Sequence, residues 1–315
     1  MQGLQRTVEM LEENIGRVIV GKKDVVELIL NAILCKGHVL IEDVPGVGKT
    51  TLVSALARSL DCSFKRIQFT PDITPSDVTG FSIANFKTGE FEYRPGMIMS
   101  QIVLADEINR TSPKTQSSLL EVMEEGQVSV DGTTYKMPEP FIVLATQNPT
   151  DFVGTYPLPE AQLDRFFMRI SIGYPTMEEE AAILERFTGG INPMKELKPI
   201  CSASEIVVMQ KQVESVYAAK EIRTYISQIA AASRKSNALQ LGVSTRAAIS
   251  LLKACQAHAL MNGRDFVTPE DVQKMAEPVL AHRLVLSPEA RMRNMTAERV
   301  LAGMMQSVQV PVKVK

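Results

Sequence analysis

The chain has 315 residues, 45% of them apolar, enough to bury the core of one large domain or two modest ones. Lys plus Arg (34) nearly balances Asp plus Glu (36), and the net charge of −2 offers no broad basic face for a nucleic-acid backbone. Ordinary contents of Gly (18) and Pro (17) exclude collagen-like and Pro/Gly-rich disordered classes, and no apolar run reaches the length of a membrane-spanning helix.

The first residues, MQGLQRTVEMLEEN, are amphipathic and acidic, without the apolar stretch of a secretory signal. Cys35, Cys62, Cys201 and Cys255 are scattered and form no CxxC pair, which fits reduced thiols in a cytoplasmic protein. His38, His258 and His282 lack metal-ligand spacing, so no transition-metal centre is expected.

Short apolar runs at 38–42, 66–69, 102–106, 141–146 and 167–172 read as buried strands. Helical patterns at 51–60, 114–125 and 160–166 fall between them, and this alternation predicts a parallel sheet covered on both faces. Two stretches leave the pattern. Residues 80–97 suggest a hairpin turning around Lys87-Thr88-Gly89, and 126–137 a hairpin turning at Asp131-Gly132. Residues 177–187 read as a helix and 188–200 as a linker. From 204 to about 286 the periodicity is helical with almost no strand signal, and Thr268-Pro269-Glu270-Asp271 marks a helix start. The expected division is an α/β core at 1–175 and a helical domain at 176–315.

The strongest chemical signal is Asp43-Val44-Pro45-Gly46-Val47-Gly48-Lys49-Thr50, lying between a strand and a helix that begins near Thr51. Glycines let such a loop turn its N–H groups onto phosphates, Lys49 reaches the β/γ oxygens, and the Thr50 hydroxyl ligates Mg²⁺. Asp43 stands where a first Gly is usual, a departure expected to be tolerated because only the later glycines need close backbone approach. The run Ile102-Val103-Leu104-Ala105-Asp106-Glu107 reads as a buried strand delivering Asp106 to Mg²⁺ and Glu107 to the attacking water. The strand at 141–146 leads into Gln147-Asn148-Pro149, whose amides would face the γ-phosphate or the water. Arg165 ends the 160–166 segment, either pairing with a local acid or reaching a neighbouring subunit's nucleotide. Arg246 opens the first turn of a helix capped by Ser244 or Thr245. Its sign is wrong for the helix dipole, which suggests another task, such as contact with nucleotide phosphate across the domain cleft.

These residues, together with ADEINR (105–110), PKTQSSLLEVMEEGQVSVDG (113–132), ATQNP (145–149) and GTYPLPEAQLDRF (154–166), resemble the MoxR family of AAA+ ATPases over nearly the whole chain. The resemblance implies an AAA+ core with strand order 5-1-4-3-2, a helical lid, a helix-2 insert at 80–97 and a pre-sensor-1 hairpin at 126–137. It implies Asn148 as sensor 1, Arg165 as arginine finger and Arg246 as sensor 2. Val20 and Gly21 would belong to the adenine pocket, and 44–51 would cradle the phosphates. Asn109 and Arg110 would lie near a subunit interface, their roles open. The implied activity is Mg²⁺-dependent ATP hydrolysis in a homo-oligomeric ring, expected to be a hexamer. Its implied use is the remodelling of a client protein, with a von Willebrand factor A domain protein as a candidate partner.

A nucleic-acid motor, a metal-chelatase motor subunit and a small-molecule kinase are the alternatives. The hairpin at 128–137 carries only Lys136 and Tyr135 as a basic and an aromatic residue, poor equipment for tracking a nucleic acid. No acceptor pocket for a kinase is suggested by the helical second half. No guanine-reading NKxD follows the phosphate loop, which disfavours GTP.

Overall fold

The computed structural model describes residues 2–86, 89–148, 154–188 and 193–311. The expected turn residues Lys87 and Thr88, Pro149 after Asn148, Gly189-Gly190 of the expected linker and the last residues of the tail lie outside these.

Two helices, α1 (Gln2–Gly16) and α2 (Lys23–Leu34), precede the first strand β1 (Val39–Glu42). The α/β part continues as α3 (Lys49–Ser59), β2 (Phe64–Gln68), α4 (Pro75–Thr79), β3 (Gly80–Ala84), β4 (Phe91–Pro95), β5 (Ile102–Asp106), α5 (Pro113–Glu125), β6 (Gln127–Val130), β7 (Thr133–Lys136), β8 (Ile142–Gln147), α6 (Glu160–Leu163) and β9 (Met168–Ile170). The second half holds α7 (Met177–Thr188), α8 (Pro193–Glu196), α9 (Ala203–Val213), α10 (Lys220–Lys235), β10 (Leu239–Leu241), α11 (Thr245–Met261), α12 (Pro269–Leu280), β11 (Val285–Leu286), α13 (Pro288–Met292) and α14 (Ala297–Ser307).

The main sheet has five strands in the order β2-β5-β8-β1-β9, every pairing parallel. Numbered among the sheet strands alone, this is 5-1-4-3-2, the expected AAA+ order. Alternation along each strand sends side chains to opposite faces. Val39, Ile41, Leu104 and Leu144 join a core with α1, α2, α3 and the C-terminal helices, whereas Leu40, Val103, Ala105 and Val143 pack beneath α5. Covering both faces explains why β5 is buried at every position and reads in sequence as a bare apolar run.

Both hairpins form, β3 with β4 and β6 with β7, and they lean together through Tyr93 and Tyr135, whose rings stack at 4.0 Å. Several boundaries differ from the sequence reading. The segment expected to be helical over 160–166 is helical only to Leu163, so Arg165 follows the helix rather than ending it. The expected linker contains the short helix α8. The helical half includes a small antiparallel pairing of β10 with β11, two elements too short to impose a period. His38 precedes β1, buried, its Nδ1 accepting from Val143 N–H at 3.0 Å and its Nε2 lying 2.8 Å from the Met123 carbonyl. That pattern fixes the neutral ring with its proton on Nε2.

Candidate active site

The phosphate loop runs from β1 into α3. Gly46 and Gly48 have φ of 89° and 86°, left-handed values that any other side chain would strain, and open space lies around both. With α3 starting at Lys49, the loop's N–H groups and the helix N-terminus face one recess. Lys49 Nζ donates to the Asp43 carbonyl of its own loop at 2.8 Å. The Asp43 side chain turns away from the recess. It is buried and accepts from the Ile172 N–H, from the Gly173 N–H at 3.1 Å and from Ser171 Oγ at 3.1 Å. The residue replacing the usual first Gly therefore ties the phosphate loop to the chain leaving β9.

Three neighbouring strands end at this recess. Register places Gln68 beside Asp106 and Ala105 beside Ala145, so β2, β5 and β8 deliver their last side chains to one edge. Pro45, Gly46, Gly48, Lys49, Thr50 and Thr51 share the recess with Asp106, Glu107 and Asn148. Asp106 is fixed from two sides: Arg66 contacts Oδ2 at 2.6 and 3.1 Å, and Thr146 Oγ1 donates to Oδ1 at 2.5 Å. The same Thr146 oxygen accepts the Glu107 N–H at 2.9 Å. Glu107 itself is left-handed, with φ 57° and ψ 51°, and its carboxylate meets Gln68 Nε2 at 2.8 Å and Arg110 Nε at 3.3 Å. The Thr50 hydroxyl and Asp106 carboxylate form an all-oxygen donor set of the kind Mg²⁺ takes.

A second, mainly apolar cavity opens on the other side of the loop. Val20, Val47, Gly48 and Thr51 line it with Ile19 and Met194. Arg186 of α7 closes it by donating to the carbonyls of Gly16 at 3.2 Å and Arg17 at 2.6 Å. Gly21 lies in an adjoining recess lined by Glu9, Glu12 and Glu13 and by Lys22, Lys23 and Arg186. Val44 lines neither cavity.

Arg165 and Arg246 are brought together, but elsewhere. Arg165 Nε lies 3.3 Å from Glu124 Oε2, and Arg246 Nη1 lies 3.0 Å from Glu124 Oε1. Neither lines the recess around Lys49. Glu124 comes from the end of α5, whose start is set by the Ser112 cap and Pro113 and whose stop is Gly126 at φ 61°. Ser244 caps α11 by accepting from the Ala247 N–H, which places Arg246 in its first turn. Asn109 is buried in the short helical turn that follows β5, its carbonyl accepting the Tyr156 N–H at 2.6 Å.

Sequence reasoning did not single out Arg66, Gln68, Thr146 or Glu124. The pattern that could have revealed the first two is a polar strand end (FKRIQ) next to an acidic one, which makes sense only if the two are neighbours.

The AAA family of ATPases associated with various cellular activities matches residues 38–168, and the AAA lid domain matches 231–303. Protein YeaC of Bacillus subtilis (strain 168) is 54% identical over 96% of this chain and 94% of its own length. Chaperone MoxR1 of Mycobacterium tuberculosis is 41% identical over 98% of this chain and 85% of its own, and MoxR of Paracoccus denitrificans is 30% identical over 88% of each. A crystal structure from Cytophaga hutchinsonii that carries an ATPase designation superposes with a TM-score of 0.91 at 36% identity, covering 98% of this chain and 96% of the other. Full-length likeness to named MoxR proteins, the AAA and lid matches, and the sheet order agree: this chain belongs to the MoxR family of AAA+ ATPases.

Proposed function

We propose that this protein hydrolyses Mg²⁺-ATP at sites shared between subunits of a ring and uses the cycle to remodel a client protein in the cytoplasm. The observation that carries the shared site is a separation. Lys49, Thr50, Asp106, Glu107 and Asn148 face one recess, while Arg165 and Arg246 meet on Glu124 outside it. A γ-phosphate in the recess therefore has one strong cation, Lys49, from its loop and needs further positive charge from a second surface.

The proposed residue roles are supported by position for the recess and by the family resemblance for the two arginines. The apolar cavity beside Val20 takes the base, and the N–H groups of the loop take the phosphates. Thr50 and Asp106 would hold Mg²⁺, which when bound draws charge from the β- and γ-oxygens. Glu107 orients and polarises water, and Asn148 contacts the γ-phosphate or that water. Arg165 and Arg246 enter the neighbour's site and stabilise the charge developing during transfer.

Arg165→Ala is expected to abolish turnover and leave binding of an ATP analogue largely intact. Unchanged turnover would remove the shared site. The client is sought with Glu107→Gln bait held with ATP, against Lys49→Ala, in extracts with and without nuclease. A protein retained only by the ATP-bound bait supports remodelling, a von Willebrand factor A domain protein being the expected companion. Nuclease-sensitive nucleic acid on the bait would replace remodelling with a nucleic-acid motor.

A further inference from the structure

Arg165 sits just past a short helix, its N–H and that of Phe166 bonded back to the carbonyls of Gln162 and Leu163. The helix α6 is four residues long and ends at Leu163, so the carbonyls of residues 164 and 166 have no helical N–H to meet. A side chain from the far end of the chain supplies the donors instead. Arg283, in the short turn of helix that follows α12, is 3% exposed at its side chain. Its Nη2 donates to the Phe166 carbonyl at 2.7 Å and to the Asp164 carbonyl at 3.3 Å, and its Nη1 donates back to Val279 of α12 at 2.9 Å. Nε lies 3.0 Å from Asp164 Oδ1, an ion pair that is not aligned as a hydrogen bond. His282 Nε2 lies 3.1 Å from the same Phe166 carbonyl.

The backbone is thus gripped on both sides of Arg165, and nothing in this grip touches the Arg165 side chain. Phe166 is fully buried beneath the sheet, while the Arg165 side chain remains one-third exposed. Burial draws the Arg283 pKa down to about 10, with Asp164 opposing the fall, so the guanidinium stays charged at neutral pH. A buried charge is costly to keep, and a planar fork spanning two carbonyls and a carboxylate is something a lysine cannot imitate. The same helix pair carries the other interface arginine: α12 packs along α11, whose first turn holds Arg246.

We infer that Arg283 is a positioning residue for Arg165, fixing the backbone on either side of it and tying it to the α11–α12 pair that carries Arg246. A shift of that helix pair then moves both arginines together. The inference rests on the shared-site reading, so its test separates the two.

Wild-type subunits are diluted into an excess of donor subunits that carry Lys49→Ala and cannot turn over ATP themselves. Phosphate release is counted per wild-type subunit. Three donors are compared: Lys49→Ala alone, with Arg165→Ala added, and with Arg283→Lys added. Co-assembly and circular dichroism are checked for each. With the Arg165→Ala donor, turnover by the wild-type subunits is expected to collapse. With the Arg283→Lys donor, kcat is expected to fall roughly a hundredfold at unchanged KM, the scale of a 1 Å misplacement. A purely structural arginine, in donors that fold and co-assemble, would not slow chemistry in a neighbour.

If the Arg165→Ala donor leaves turnover untouched, the shared site falls and this inference with it. If that donor silences the ring but the Arg283→Lys donor does not, the shared site stands and the role given to Arg283 is overturned. Should the Arg283→Lys donor fail to fold or co-assemble, Asp164→Asn takes its place. It removes the ion pair and leaves the carbonyl contacts, and it is judged by the same rule with an expected loss of about tenfold.

Discussion

Thr146→Val tests whether one buried hydroxyl sets the geometry of the acidic pair. Thr146 is fully buried, donates to Asp106 Oδ1 at 2.5 Å and accepts the Glu107 N–H at 2.9 Å. Valine keeps the shape and removes both bonds. A hydrogen bond to a charged acceptor is worth about 1.5–3 kcal/mol, and an orphaned buried N–H costs about 1–3 kcal/mol. Arg66 still neutralises Asp106, and the added methyl returns about 0.8 kcal/mol, so the net loss of stability is about 2–5 kcal/mol. The catalytic effect has a separate cause. Glu107 occupies the left-handed region, at a cost of about 1–2 kcal/mol, and the Thr146 bond is part of what holds it there. Released, the carboxylate leaves its position for water, and kcat should fall roughly a hundredfold. Thr146→Ser is the control, because it keeps the hydroxyl and loses a methyl group worth about 1 kcal/mol. Phosphate release at saturating ATP, fluorescent-analogue binding and urea unfolding are measured on both. The valine variant should bind the analogue as the serine variant does and turn over far more slowly. Equal kcat in the two variants would refute the reasoning, as would a loss of nucleotide affinity that accounts for the whole effect.

Asp43→Gly restores the usual loop residue but strips three donors around 171–173 of their acceptor, so urea unfolding should show a loss of about 2–4 kcal/mol. Analogue affinity should change less than tenfold, since that side chain faces away from the recess. Acid should weaken the fold through His38, whose pKa burial lowers to about 4 against the pull of the Met123 carbonyl. Its contribution is full above the unfolded value near ~6.5 and is lost as pH falls toward ~4, about 3 kcal/mol in all. The urea midpoint of His38→Asn should accordingly depend less on pH across that window than the parent's, and an unchanged slope would exclude His38 as the cause. At His258 burial opposes the charge, but Asp271 and Glu27 outweigh it and raise the pKa, so this stabilisation is present below ~6.5 and fades as pH rises through the raised value. Asp271→Asn leaves Arg264 and His258 without their shared carboxylate, so denaturation should show a loss of about 3–5 kcal/mol and of that alkaline dependence.

What could be read from the sequence was whatever is written locally. Lys49 and Thr50 follow a strand and a pair of glycines, and Asp106 and Glu107 end an unbroken apolar run. Each signal needs only its own neighbours in the chain. Arg66 and Gln68 were illegible because β2 is the edge strand: its polar face looks like any solvated surface until β5 is laid beside it. Thr146 passed as the last residue of a strand, and Glu124 as one more acid on a helix end. The segment 160–166 has a helical pattern that stops early because the chain passes into β9 at Met168, and its last carbonyls are met instead by Arg283, more than a hundred residues away. Strands of two and three residues, β10 and β11, hold too few side chains to show alternation.

The separation of charges is the physical argument for the proposed ring. The recess concentrates phosphate-facing N–H groups, Lys49 and two carboxylates at the C-terminal edge of the sheet, and Arg66 is already committed to Asp106. Arg110 lies on Glu107, and Arg165 and Arg246 are held on Glu124 outside the recess. If completing the site within one chain drew the backbone around Arg165 away, it would have to leave the buried grip of Arg283. Breaking such a pair while leaving its charge buried costs about 3–5 kcal/mol. Supplying the same arginines to the next subunit leaves that grip intact and requires only that two side chains exchange an exposed carboxylate for a phosphate. An exposed ion pair of this kind holds by about 0–1 kcal/mol, so the exchange is energetically open.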